Sequence, residues 1–335
     1  MLNMDKFLGG SMNIFARLIG CGVAALCLSM SNAVAQDAKL GELSIIAPAG
    51  AGGGWDSAAR AIQQVMTETG IARSIQVLNV PGAGGTVGLA QFATSAGSDP
   101  NQLLVGGITM VGAIISNNAP VKLDAVKPLA RLTGDPLAVV VPASSDIKTI
   151  DDLLAKIKSD VAGTVWAGGS AGGADHMLAA LLTEAAGEDP SKVNYVAFSG
   201  GGEALAAMLG GQVVAGISGY GEWQGQIESG DLRALAISYP EPIEGIDAQP
   251  LKAQGVDVEL VNWRGIFAAP QVSDEDMAKL TAAFDAMVKS DKWQELLKAR
   301  GWADYYLPAD EFAKFLTEET QRIDGILTSV GLAGK

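Results

Sequence analysis

Short apolar runs alternate with amphipathic stretches from about residue 40 to the end of the chain. Leu43-Ser44-Ile45-Ile46-Ala47-Pro48 reads as a buried strand, and Trp55-Asp56-Ser57-Ala58-Ala59-Arg60 opens a helix. Further strands are expected at 75–80, 103–107, 137–141, 164–167, 193–198, 213–218 and 234–238. Helices are expected at about 151–158, where Thr149 and Asp152 have capping-box spacing, and at 174–186 and 203–209. Ser273-Asp274-Glu275-Asp276 caps a long helix to about 290, and a last helix follows Pro308 to about 327. Strand and helix in turn argue an α/β fold with mainly parallel sheets. No fixed repeat period appears, so the chain is not a solenoid.

Four of the strand-to-helix junctions are rich in glycine: 49–54, 81–85, 168–173 and 199–202. Such a turn bares backbone N–H groups at a helix N-terminus, where the dipole also favours an anion. Any one of these turns is as well explained by the strained backbone that glycine permits. Four at equivalent topological positions point to a ligand, because open α/β sheets bind at the carboxyl ends of their strands. The glycine spacing is not that of a nucleotide site. Trp55 stands where the third glycine of G-x-G-x-x-G would be, and no Gly-Lys-Ser or Gly-Lys-Thr is present.

The chain has 335 residues, enough for two domains with their own cores. It begins with a leader: Arg17, an apolar run over 18–28, then Ala33-Val34-Ala35, which places signal cleavage between Ala35 and Gln36. Met12 offers a second start. Leu18-Ile19-Gly20-Cys21 resembles a lipoprotein box, but Arg17 directly before it leaves no apolar run upstream. Both cysteines, Cys21 and Cys27, fall inside the leader, so the mature protein is expected to lack disulfides. Cleavage leaves 21 basic and 36 acidic residues, a net charge of −15. That balance argues against nucleic acid and anionic membrane as partners, and it means that an anion must be held by local geometry.

Gly168-Gly169-Ser170-Ala171-Gly172 matches the G-x-S-x-G nucleophile elbow, so a secreted serine hydrolase using Ser170 is the alternative function. The single histidine, His176, lies six residues on, on the helix that such an elbow would start, and cannot turn back to the Ser170 hydroxyl as a base. It is expected to be a packed, hydrogen-bonded helix residue. One histidine and scattered carboxylates give no metal-ligand spacing, so neither a metal nor a cofactor is expected. Asp56 is expected to cap the first helix, with Arg60 four residues on as its partner. Arg264 is a candidate anion contact, or equally a surface arginine. Trp55, Trp166, Tyr220, Trp223 and Trp263 stand beside turns or strand ends, where aromatics wall pockets but more commonly pack the core.

At these residues the chain resembles the Bug/TctC family, the extracytoplasmic solute-binding proteins of tripartite tricarboxylate transporters. Gly53-Gly54-Trp55-Asp56-Ser57-Ala58-Ala59-Arg60 matches the family's G-G-x-x-D-x-x-A-R, and Asn79-Val80-Pro81-Gly82-Ala83-Gly84-Gly85 its N-x-P-G-A-G-G. Gly169-Ser170-Ala171-Gly172-Gly173-Ala174-Asp175-His176-Met177 is similar to G-S-x-G-x-x-x-H-L, Leu209-Gly210-Gly211-Gln212-Val213 to L-x-G-Q-V, and the run from Trp263 to Pro270 to W-x-G-x-x-A-P. The chain departs from the pattern at Val196-Ala197-Phe198-Ser199-Gly200, where V-P-Y-K-G is usual, at Asp99-Pro100-Asn101-Gln102-Leu103 for P-D-G-Y-T-L, and at Pro250-Leu251-Lys252-Ala253-Gln254-Gly255 for P-T-L-x-E-x-G.

The resemblance implies a two-lobe Venus-flytrap fold of mixed sheets flanked by helices. With the leader at 1–35, one lobe would comprise 36–138 plus 241–335 and the other 139–240. A ligand carboxylate would be gripped by backbone amides of the glycine-rich loops. The implied contacts are Ala51, Gly52, Gly53 and Asp56 in the first loop, Ala83 and Gly84 in the second, Ser170 and Ala171 in the third, and Ser199 and Gly200 in the fourth. The implied protein is a periplasmic monomer with no catalytic residue. It would bind a tricarboxylate such as citrate, or a dicarboxylate, and hand it to a membrane permease, with a membrane sensor kinase as a further partner.

Overall fold

The computed structural model describes residues 40–198 and 201–334. The leader with its cleavage site, and the predicted contacts Ser199 and Gly200, lie outside the described residues. Two sheets organise the chain. The first has strand order β11-β4-β10-β3-β1-β2, the second β7-β6-β8-β5-β9. Strands β1 (Leu40–Ala47), β2 (Ala72–Asn79) and β3 (Gln102–Gly107) build one half of the first sheet. Strands β4 (Lys127–Asp135), β10 (Asn262–Ala268) and β11 (Ala303–Pro308) build the other. The second sheet comprises β5 (Leu137–Pro142), β6 (Val165–Gly168), β7 (Asn194–Ala197), β8 (Ala215–Gly219) and β9 (Leu232–Ile237).

The sheets are mixed, not mainly parallel. β1 pairs parallel with β2 and β3, but β10 is antiparallel to both β3 and β4, and β5 is antiparallel to both β8 and β9. The cause is the chain's passage between sheets. β4 hands over to β5 across the single residue Pro136, and the chain re-enters the first sheet through β10, against the direction of its neighbours. These re-entrant strands carry no helical crossover, so nothing holds them to the parallel rule.

Local sequence explains the helices. In α1 (Gly54–Glu68), Ala58, Ala59, Ala61, Ile62, Val65 and Met66 are buried, a stripe at helical spacing, while Arg60, Gln64 and Glu68 face water. α2 (Thr86–Ser95) and α3 (Ile108–Ser116) follow β2 and β3. In α4 (Ile150–Ser159) the capping box forms as its spacing predicts: the Thr149 hydroxyl accepts from Asp152 N at 3.1 Å, and the Asp152 carboxylate accepts from Thr149 N at 2.9 Å. α5 (Ala174–Ala185), α6 (Gly201–Leu209) and α7 (Tyr220–Glu228) cover the second sheet. The long helix ends about where the sequence places its end: α8 is Asp274–Val288, and Ser290 then caps a further helix that is not among the expected elements, α9 (Asp291–Ala299). α10 (Ala309–Ser329) closes the chain against β4.

Candidate functional site

A cleft of about 480 Å³ lies at the carboxyl ends of the strands, lined from both sheets. That is within the size range of small-molecule sites. Three of the helices that start on it share a peculiarity. α1, α2 and α7 begin at Gly53, Gly85 and Gly219, all on the cleft wall, and none has a side-chain cap. α5, which carries the wall residue Asp175, begins uncapped at Gly173. By contrast α4, α8 and α9 start away from the cleft and are capped by Thr149, Ser273 and Ser290. α10, led by Pro308, is uncapped without touching it. Uncapped helix starts leave N–H groups and positive dipole ends turned on whatever occupies the space.

The first loop is held in shape by Asp56. Its Oδ2 accepts from Gly52 N at 2.8 Å and from Arg60 Nε at 2.9 Å, and its Oδ1 accepts from Asn79 Nδ2 at 2.9 Å. Asn79 also donates to Ala49 O at 3.1 Å, so the end of β2 is bolted to the loop. Burial works to raise the Asp56 pKa, but the hydrogen bonds from Arg60, Gly52 and Asn79 outweigh it and hold the group below the ordinary carboxylate range. Asp56 is thus the loop's internal anchor. Gly50, Gly53, Gly54 and Trp55 form the wall, whereas Ala51 and Gly52 are exposed and do not line it.

The second loop has positive φ at four consecutive residues: Gly82 (142°), Ala83 (45°), Gly84 (62°) and Gly85 (91°). A Cβ at Gly85 would fall 2.5 Å from the Trp55 ring, and one at Gly84 would overlap the Ala113 methyl. Glycine at 82, 84 and 85 is therefore favoured by backbone sterics, and at 84 and 85 it is also required by close packing on α3 and α1. Ala83 and Gly84 line the cleft.

The third loop approaches the second across the cleft; a Cβ at Gly84 would stand 3.9 Å from Ser170 Cβ. Ala174 N donates to Thr109 Oγ1 at 3.3 Å, tying the start of α5 to α3. His176 Nδ1 accepts from Gly172 N at 3.1 Å, and its ring stacks on Tyr195 at 4.2 Å. The Tyr195 hydroxyl in turn donates to Gly169 O at 2.9 Å. His176 therefore shapes the third loop and is turned away from base duty. Ser170 lines the cleft, and Ala171 lies off the wall.

Arg264, on β10, lines the cleft and is only 3% exposed, which decides against the surface-arginine reading. It forms an ion pair with Asp135, itself 1% exposed, at the end of β4. Glu222 Oε1 lies 3.9 Å from Arg264 Nη2, and a Cβ at Gly54 would come within 2.5 Å of the same nitrogen. Asp175 accepts from Gly169 N at 2.7 Å. Burial pushes Asp135 up to about 6, with Arg264 opposing it and Glu222 adding to it. Burial likewise pushes Asp175 up to about 7; the Gly169 amide and Arg264 resist, and the charges of Glu222 and Asp135 reinforce it. Glu222 is raised by burial against the pull of Arg264 and Ser218. Among the described residues, no group of three or more His, Cys, Asp and Glu is arranged to hold a metal.

Of the contacts expected from sequence, the structure brings Gly53, Ala83, Gly84, Ser170 and Arg264 together on one wall. It places Ala51, Gly52, Asp56 and Ala171 off it. Sequence reasoning missed Asp175, Glu222 and Asp135. For Asp175 and Glu222 the local signal was an acid in the first turn of a helix after glycine, which ordinarily reads as a cap; Asp135 stands at the end of β4. Trp55 is on the wall, while Trp166, Trp223 and Trp263 are core.

Two mixed sheets with a glycine-walled cleft between them define the class: a two-lobe solute-binding protein of the periplasmic type. The chain belongs to the tripartite tricarboxylate transporter receptor family (TctC), whose profile matches residues 58–332. It is a solute-binding protein and not an enzyme; the family binds small carboxylates and works with a transporter. It is 26% identical over 295 residues to the protein BugT of Bordetella pertussis, covering 86% of this chain and 89% of that one. Among solved structures it is similar to the periplasmic binding protein BugD, at TM-score 0.78 and 20% identity over 88% of this chain and 98% of that one. MatC of Rhodopseudomonas palustris with bound malate gives TM-score 0.74 and 23% identity, over 86% and 99%. Rpa4515 of R. palustris with adipate gives 0.80 and 17%, over 88% and 98%.

Proposed function

We propose that this protein is secreted to the periplasm with cleavage after Ala35, closes two lobes on a small carboxylate, and delivers it to the permease of its transporter. The lobes are 36–138 with 241–335, and 139–240. The observation that carries this reading is the set of uncapped helix starts and glycine-rich turns on one cleft of about 480 Å³. A carboxylate of the ligand sits against the loops of Gly53, Ala83, Gly84 and Ser170, with Ser199 and Gly200 completing the grip. The energetics are sufficient. Charge-assisted hydrogen bonds contribute about 1.5–3 kcal/mol each, and a handful reaches the roughly 8 kcal/mol of micromolar binding. Closure requires contacts from both lobes, since only differential affinity moves a conformational equilibrium.

Malate and adipate, held by two proteins of like fold, support a ligand of about this size. A thermal-shift screen of citrate, malate, adipate and further organic acids tests the reading, because a ligand of the native state raises the melting temperature by mass action. At least one carboxylate is expected to raise it by several degrees and to titrate calorimetrically. If none did, the carboxylate reading would fail.

A further inference from the structure

Acids stand directly against the loops that receive the carboxylate. Asp175 accepts from Gly169 N at 2.7 Å, one residue before Ser170 in the third loop. Glu222 lies against the first loop and the start of α6: a Cβ at Gly54 would stand 3.2 Å from its Oε1, and one at Gly201 would overlap its Oε2. Both acids line the cleft. Arg264 is the one cation among the described residues that line it, and its ion pairs go to Asp135 and Glu222. Three acids thus share one guanidinium, a net charge of −2 when all are ionised. A carboxylate on the loops adds a further negative charge to the same space. Asp135 is buried and Asp175 and Glu222 are half-buried, so water screens the added charge poorly and like charges repel strongly.

We propose that the cleft takes up its carboxylate together with a proton, which binds the Asp175 carboxyl. This rests on the carboxylate-binding reading above. Of the three acids, Asp175 is the one to which Arg264 gives no ion pair; its Oδ2 is held by a backbone amide instead. The groups that face it are Glu222 from α7, Asp135 from β4, Arg264 from β10 and the Tyr195 hydroxyl from β7. His176, the next residue on α5, uses its Nδ1 to accept from Gly172 N. Burial, reinforced by the charges of Glu222 and Asp135, already pushes the Asp175 carboxyl up to about 7 against the Gly169 amide and Arg264. The ligand's charge pushes it in the same direction, so a proton from solvent joins the carboxyl oxygen that does not accept from Gly169. Protonation removes one charge from the wall and turns an acceptor into an O–H donor, which a carboxylate attracts. Capture is therefore tighter at the acid end of the neutral range.

Calorimetric titration of the purified protein with malate and with adipate tests this at pH 8, where both probes are fully ionised and any proton must reach the protein from the buffer. Titration in Tris and in phosphate, whose ionisation enthalpies differ, counts the protons. An uptake of about 0.5–1 proton per carboxylate ligand is expected, and by linkage Kd should weaken about three- to tenfold between pH 7.5 and 8.5. Asp175→Asn keeps an acceptor for the Gly169 amide but has no charge to lose. It is expected to bind without proton uptake, with a Kd flat over this range, and several-fold more tightly than wild type at pH 8.5. Binding of either acid to the wild-type protein with no uptake and a flat Kd would overturn the inference and leave the carboxylate reading standing. Uptake that persisted in Asp175→Asn would overturn the assignment to Asp175. If neither probe binds, each acid that raises the melting temperature in the screen is titrated in the same way, and failure of every acid would overturn both readings. The wild-type uptake decides whether a proton is captured even if the variant does not fold.

Discussion

Replacing Arg264 by Met tests the electrostatic account of the cleft most directly. Removing one partner of a buried ion pair leaves the other charge uncompensated, at a cost of about 3–5 kcal/mol. The pH dependence of that loss follows from Asp135. Its folded-state pKa of about 6 is above the ordinary 3.8, so its contribution to stability falls as pH rises from about 4 through 6 and is then flat. At 1.36 kcal/mol per unit, this already costs the wild-type protein roughly 3 kcal/mol. Arg264 is what keeps Asp135 from rising further, so in the variant the folded pKa moves above 6 and the decline continues into the alkaline range. Each pH unit by which that decline extends above 6 costs the variant about 1.4 kcal/mol that the Asp135 contribution does not cost the wild-type protein. Asp175 and Glu222 act in the same direction, because each is also held down by Arg264. Urea unfolding of both proteins at pH 5 and pH 8, with linear extrapolation, measures the difference. The variant is expected to be close to wild type at pH 5 and about 3–5 kcal/mol less stable at pH 8. An equal deficit at the two pH values, or none at pH 8, would refute the reasoning.

Asp56→Ala should lower stability by about 1–2 kcal/mol, since it removes the acceptor of the Gly52 amide and of Asn79; it should also weaken carboxylate binding, and calorimetry showing an unchanged Kd would contradict its role in shaping the first loop. Gly84→Ala places a methyl against Ala113 in a left-handed backbone, so a loss of about 1–3 kcal/mol is expected together with loss of ligand-induced thermal shift. Thr149→Ala removes the α4 cap far from the cleft and should cost about 1 kcal/mol in denaturant unfolding with ligand affinity intact. Ser170→Ala should weaken ligand binding, and ester hydrolysis should be absent before and after the change; serine-dependent turnover would contradict the binding role.

What could be seen in the sequence was local. The Thr149 and Ser273 caps, the stripe of α1 and the apolar runs of β1, β3 and β5 each show within a few residues of themselves. Strand β4 was hidden because Arg131, Thr133 and Asp135, on alternate positions, are polar yet buried, the reverse of the usual pattern. Arg131 is accommodated there by the faces of Tyr305 and Phe315 and by the Tyr305 carbonyl, none of which is near it in sequence. The end of α8 near Ser290 was legible, but α9, the helix that Ser290 caps, was not among the expected elements.

The sequence by itself determined where the chain turns, which turns must be glycine and that each leads into a helix, because backbone sterics and helix periodicity are properties of neighbouring residues. Only the tertiary structure decided what those turns face. Arg264 and Asp135 are 129 positions apart, and Glu222 and Asp175 come from other elements again. Their meeting depends on how the chain crosses between the two sheets. Their charges depend on water excluded by segments far away in sequence. A glycine turn can be read from its own residues, but the polarity of the space it opens onto is set by everything folded around it.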